Sequence, residues 1–248
     1  MKFSSHESIK SHNSYKEVEY YSNLTMSNFM WESEKIVLKK YLKKNDVILD
    51  LGCGAGRSTF YLYSEGYKNI TGIDIASNMI NEAKKNQKLL NSSIDFFVGD
   101  ATKLNLKKKF DAVIFTFNGL TMIPDKKKRL EALKQIANVL KKDKYFIFTT
   151  LDREKCDDKY KLFWQEEKIR WDKHIQNEKL IDYGDVIFKN ADGIDQFIHV
   201  PTEKEVRDML NISNFKVVSS LMRSEIIVES EEVLKVSDEC RFWITQKI

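Results

Sequence analysis

Cysteine and proline are scarce in this chain, with three of the first and two of the second among 248 residues. Cys53, Cys156 and Cys240 are an odd number at wide spacing, which excludes a disulfide framework and a zinc site and predicts a reducing compartment and no metal. No apolar run is long enough to span a bilayer. The opening Met1-Lys2-Phe3-Ser4-Ser5-His6-Glu7 lacks the apolar stretch of a signal peptide, so a cytoplasmic protein is expected. Excess charge is small as well. Lys and Arg number 41 against 37 Asp and Glu, a net charge of +4, short of a dedicated nucleic-acid binder. Internal repeats, low-complexity linkers and any obvious interdomain hinge are lacking too. What remains, 42% hydrophobic and 31% charged residues, is the composition of a globular chain. At this length it can bury about 70% of its unfolded surface without a covalent staple.

The stretch around which the rest is organised is Val47-Ile48-Leu49-Asp50-Leu51-Gly52-Cys53-Gly54-Ala55-Gly56-Arg57. It reads as a short buried strand, a turn with glycine at alternate positions, and the start of a helix at Ser58. That is the first unit of a doubly wound α/β domain, whose ligands sit beyond the carboxyl ends of the strands. The Gly-x-Gly-x-x-Gly of a dinucleotide site is missing, because its third glycine would fall at Arg57, and there is no Gly-Lys-Ser/Thr P-loop. Further strands are expected at 68–74, ending in Asp74, and at 95–101, with Asp100 near its end. Two more are expected at 110–118 and 145–150. Met79, Ile80 and Ala83 mark one intervening helix, and Leu130, Leu133, Ile136, Ala137 and Leu140 another.

An acidic residue followed by Gly-x-Gly-x-Gly resembles motif I of class I S-adenosylmethionine (SAM)-dependent methyltransferases, and the strand-end acids follow in that family's order. The resemblance covers residues 30 to 152 and, less specifically, 202 to 248. It implies a mostly parallel seven-stranded Rossmann-like sheet with an antiparallel edge pair, and SAM as cofactor with S-adenosylhomocysteine as product. It also implies roles. Gly52, Gly54 and Gly56, with Cys53 between them, would approach the methionine portion, and Asp50 its ammonium. Arg57 would meet the carboxylate or serve the surface or helix end. Asp74 would take the ribose hydroxyls, Ile75 and Met79 would line the adenine, and Asp100 with Ala101 would meet its edge. Phe117 and Asn118 would face the sulfonium.

Four parts are expected: an N-terminal lid segment over 1–28, a SAM-binding core over 29–151, an acceptor cover over 152–200, and the rest of the sheet over 201–248. Residues 1 to about 14 are polar and expected to be loose unless a partner holds them. Tyr15, Tyr20, Tyr21, Phe29 and Trp31 follow, and apolar residues at helical spacing predict a helix from about 29 to 43. In the insert, 159–176 reads as a helix carrying Trp164 and Trp171, and 180–189 with 193–200 as a hairpin turning at Asp192-Gly193. Thr202 with Glu205 forms a capping box, and 215–221 and 241–247 read as closing strands.

The acceptor is the open question. Thr116-Phe117-Asn118-Gly119 after the fourth strand lacks the Asn/Asp-Pro-Pro-Tyr/Phe of adenine or glutamine N-methylation, and a Pro-Cys nucleophile for cytosine is absent. Tyr15, Tyr20, Tyr21, Trp31, Trp164 and Trp171 are pocket candidates. Asp152 and His199, with Arg153 nearby, are the acceptor-side polar candidates, although a histidine in a strand is more often satisfied within the sheet. The lysines at 107–109, 126–128 with Arg129, 141, 142 and 144 read as a solvated face more readily than as an RNA patch. The expected function is methyl transfer to an O or N nucleophile of a small molecule by in-line displacement. A tRNA- or protein-directed methyltransferase and a SAM-binding protein without catalysis stand as alternatives.

Overall fold

A computed structural model describes residues 2–27 and 30–248. In chain order the elements are α1 (Ser5–His12), α2 (Tyr15–Met26), α3 (Glu32–Tyr41), β1 (Ile48–Leu51), α4 (Arg57–Ser64), β2 (Ile70–Asp74), α5 (Ser77–Leu89), β3 (Asp95–Val98), β4 (Phe110–Phe115), α6 (Lys126–Val139) and β5 (Leu140–Thr150). They continue with α7 (Lys161–Asp172), β6 (Asp185–Lys189), β7 (Asp195–His199), α8 (Glu203–Ile212), β8 (Phe215–Met222), α9 (Arg223–Ile226), α10 (Glu231–Val236) and β9 (Arg241–Lys247). Phe29, at the start of the expected third helix, lies outside the described residues.

Seven strands form one sheet in the order β3-β2-β1-β4-β5-β9-β8, and β6 with β7 forms a separate hairpin. Neighbours among β1 to β5 pair in parallel, and β9 runs antiparallel to both β5 and β8. The chain winds outward from β1 in one direction through β2 and β3 and in the other through β4 and β5, so β1 and β4 flank the topological switch point where such sheets bind ligands.

The central strands are buried on both faces, and their period of two sorts the core into two layers. Leu49, Leu51, Val113, Phe146, Phe148 and Trp243 face α6 and α8, where Leu133, Ile136 and Leu210 pack on them. Ile48, Ala112, Ile114, Ile147, Phe242 and Ile244 face the other way, onto Val37 and Leu38 of α3, Leu62 of α4 and Val233 of α10. Asp50 is the polar exception in β1, fully buried beneath the start of α4.

The N-terminus differs from the expectation of a loose tail. Ser4 and Glu7 form a capping box at the start of α1. Phe3 is buried and its ring stacks on Phe197 of β7 at 5.6 Å between centroids. The hairpin tip then grips the α1–α2 junction, with the Asn190 side-chain amide donating to Ser11 O and Ser14 Oγ and Asp192 accepting from Lys16 N at 2.8 Å. One aromatic and a set of caps hold a segment whose polar composition alone would leave it free.

Candidate active site

Two cavities meet at the carboxyl ends of the central strands. The first follows the glycine loop, and its floor is largely backbone. Gly54 has φ +55°, and a Cβ added there would meet only open space, so the bare main chain borders the cleft. Its N–H donates to Asp74 Oδ2 at 2.8 Å, and Ala76 N–H donates to Oδ1 at 2.8 Å. Those two bonds fix the Asp74 carboxylate at the end of β2 while leaving lone pairs for further donors. Burial raises the Asp74 carboxyl above its ordinary range, against the Ala76 and Gly54 N–H groups that lower it. Ile75, Met79 and Ala101 give this cleft apolar walls. Asp100 lines it too, oriented by Thr102, whose N–H and hydroxyl both donate to Oδ1. Ser5, Ser8 and His12 of α1 close the far side.

Asp50 does not line this cleft. Its Oδ2 accepts from Ser58 Oγ at 2.7 Å and Thr59 Oγ1 at 2.6 Å, so it anchors the first turn of α4 from below. Burial pushes its carboxyl up to about 6, and its Oδ1 has no hydrogen-bond partner among the described residues. The expected direct contact with an ammonium is therefore corrected to a supporting position behind the loop. Gly56 also stands behind it, as the left-handed cap of α4. Arg57 does line the cleft, but it is buried and forks onto Glu34 of α3 at 2.6 and 2.8 Å, which excludes the surface role. Its guanidinium also lies 5.0 Å from the Phe117 ring centroid.

The second cavity has a volume of about 730 Å³ and is walled by side chains. Glu17, Tyr20 and Tyr21 come from α2, and Trp31 from the segment before α3. Phe163 and Trp164 come from α7, and Val186, Phe188, Gln196 and Ile198 from one face of the hairpin. Tyr21, Phe117 and Met122 line both cavities and form the boundary between them. Phe117 is the centre of that boundary, packed at 5.1 Å from Trp31 and 5.9 Å from Tyr21. Phe117 and Asn118 have φ of 55° and 63°, consecutive left-handed residues at the end of β4. Such conformations cost energy and persist where the surroundings dictate them. Asn118 N–H donates to Thr149 Oγ1 at 2.9 Å, and its side chain lines the second cavity with Oδ1 unpartnered among the described residues.

Several acceptor-side expectations are corrected. His199 faces away from the cavity, because alternation along β7 puts Gln196 and Ile198 inward and Phe197 and His199 on the opposite face. It is buried, with Nδ1 2.8 Å from Asp185 Oδ1, and burial lowers its pKa despite that carboxylate. Asp152 borders the cavity but is committed, with Oδ2 accepting from Arg241 Nε at 2.9 Å and Oδ1 from Glu154 N–H at 3.0 Å. Arg153 pairs with Glu205 at 2.6 Å. Tyr15 is 76% exposed and Trp171 packs against Tyr183, so neither lines the cavity. Arg129 leaves the expected solvated face: it is buried, donates to Ile123 O at 3.0 Å and lies 3.6 Å from Asp182. Sequence reasoning missed Glu17, Gln196 and the wall formed by Val236, Ser237, Asp238 and Glu239 before β9. The acid run at 238–239 was its only local signal.

Comparison with known proteins agrees with this geometry. The model of a methyltransferase domain matches residues 42–212. A solved SAM-dependent methyltransferase from Methanosarcina mazei superimposes with a TM-score of 0.68 at 25% identity, covering 86% of this chain and 97% of that one. An uncharacterised protein of Methanocaldococcus jannaschii is 31% identical over 80% of this chain and 72% of its own length. A Geobacillus protein named as a methyltransferase is 26% identical over 58% of this chain, and the match spans 60% of that relative, under two thirds of it. The chain belongs to the methyltransferase-domain family, as a class I SAM-dependent enzyme. No helix among the described residues is long and apolar enough to cross a membrane.

Proposed function

We propose that the enzyme methylates an O or N nucleophile of a small molecule enclosed in the aromatic cavity, by in-line displacement across the boundary at Tyr21, Phe117 and Met122. The observation that carries this reading is the shared boundary, which gives an acceptor in one cavity a short approach to a group held in the other. The donor site fits the cofactor: open backbone at Gly54 admits a bulky ligand, Asp74 has acceptor capacity for two hydroxyls, and Ile75 with Met79 suits a flat base. When bound, SAM supplies a methyl already activated by a sulfonium. The chain's own residues then have to orient and enclose. Phe117, held by Trp31, Tyr21 and Arg57, keeps the boundary in place. The stacked α1–α2 segment and hairpin exclude water and act as a cover that opens for product release. No basic side chain among the described residues lines the cavity, and the lysines at 141 and 144 are spent on Asp111, which disfavours an RNA acceptor.

The test is transfer of labelled methyl from SAM in the presence of separated low-molecular-weight and macromolecular fractions of a cell extract. Label in the small-molecule fraction is the expected result. Label confined to RNA or protein overturns the reading, and so does binding of SAM with no transfer to either fraction.

A further inference from the structure

The charge of the aromatic cavity is one-sided. Among the described residues five carboxylates line it, Glu17, Asp152, Asp157, Asp238 and Glu239, and no Lys, Arg or His does. Three of the five are neutralised from behind. Asp152 is paired with Arg241 at 2.8 Å, Asp238 with Lys159 at 2.6 Å, and Glu239 faces Arg223 at 3.5 Å. Glu17 has no ion pair among the described residues although it is only 8% exposed. One of its oxygens, Oε1, accepts from Gln196 Nε2 at 3.0 Å, and the other has no hydrogen-bond partner among the described residues. The same amide nitrogen lies 3.1 Å from His12 Nδ1, which ties the glutamine to α1. Burial raises the Glu17 carboxyl above its ordinary range, the Gln196 amide opposes this, and Asp192 adds to it. The second Glu17 oxygen is not among the sealed, unpartnered polar atoms of the described residues, so it opens on the cavity and is available to what enters it.

We infer that the acceptor is an amine that enters as its ammonium form, with Glu17 as its anchor and the rings of Tyr20, Tyr21, Trp31 and Trp164 as its walls. This rests on the proposed small-molecule transfer and names its substrate class. A carboxylate and aromatic faces are the two surfaces that favour an alkylammonium over water, whereas an acid would meet Glu17 and Asp157, which have no ion pair among the described residues. For transfer, the ammonium gives one proton to Glu17. The freed nitrogen lone pair forms the N–C bond as the C–S bond breaks with its electron pair left on sulfur, and the product departs as the N-methylammonium.

The experiment is calorimetry on the full chain, with and without S-adenosylhomocysteine, using benzyltrimethylammonium, 2-phenylethylamine, 2-phenylethanol and 3-phenylpropionate as probes. The two cations should bind about tenfold or more tighter than the alcohol and the acid. Glu17→Gln, whose amide oxygen can still accept from Gln196, should remove about tenfold of cation binding and leave S-adenosylhomocysteine and alcohol binding unchanged. Asp157→Asn should cost the cations less, because Asp157 is less enclosed. Equal or better binding of the acid or alcohol overturns the inference, as does full cation binding by Glu17→Gln, and neither outcome touches methyl transfer itself. Loss of S-adenosylhomocysteine binding would instead count against the donor site, with the probe series in its absence still deciding the acceptor class.

Discussion

The two cavities share a wall but are made from opposite materials. The glycine-loop cleft is built from main chain and short acids at successive strand ends, all within one continuous stretch from Leu51 to Pro124 except for α1 and Tyr21 of α2. The aromatic cavity gathers long side chains from α2, α7, the hairpin and the segment before β9, spread from Glu17 to Glu239. The first kind of site is fixed by the sheet, since β1, β2 and β4 place Gly52, Asp74 and Thr116 whatever the rest of the chain does. The second kind exists only after the separate segments have docked. A fold of this type can therefore keep its donor chemistry constant while its acceptor changes, and function at the acceptor side has to be argued from side chains.

That contrast can be broken or sharpened by substitution. The largest effect is expected where the two sites share support. Glu34→Ala leaves Arg57 buried without its carboxylate, and should cost about 3–5 kcal/mol in denaturant unfolding. Next, Asp74→Ala should weaken S-adenosylhomocysteine binding by about 1.5–3 kcal/mol in calorimetry, the loss expected of the charge-assisted ribose contact proposed for it. A folded Asp74→Ala protein with unchanged affinity would reduce Asp74 to a turn residue. Trp164→Ala should do the converse. It should leave that affinity alone and raise the acceptor KM by about 1–2 kcal/mol of lost burial, measured by steady-state kinetics.

Smaller effects separate the hairpin's two faces. His199→Gln should cost about 1 kcal/mol of stability, since Asp185 keeps the Ile181 and Asp182 N–H groups as donors. Its turnover should match the parent, because His199 faces away from the cavity. The smallest concerns pH. Burial lowers the pKa of His12 to about 4 from an ordinary 6.5. Between these values the unfolded chain binds a proton that the folded chain refuses, so stability is full above pH 6.5 and falls as pH drops toward 4. His12→Asn should flatten that decline in a thermal melt, by a modest amount because one group is involved.

The legible part of the molecule follows the same division. Short apolar runs at β1, β4 and β5, glycines at alternate positions and acids at strand ends are local patterns, so the sheet could be read directly. Ile75, Met79 and Ala101 line the cleft. Asp50 misled because its position in the motif says nothing about depth, and Ser58 with Thr59 draws it under the helix. The polar tail hid its order because Phe3 and two hairpin contacts hold it across a separation of more than 170 residues. Glu17 carries no local signal, since nothing in sequence reveals that Gln196 lies across from it. The Glu34–Arg57 pair likewise joins two elements 23 residues apart.

The most direct test of the two-cavity account is a crystal structure of the enzyme with S-adenosylhomocysteine. The account predicts the sulfur at the boundary formed by Tyr21, Phe117 and Met122, pointing into the aromatic cavity, with the ribose on Asp74. Sulfur density turned away from Phe117 and toward open solvent would contradict it.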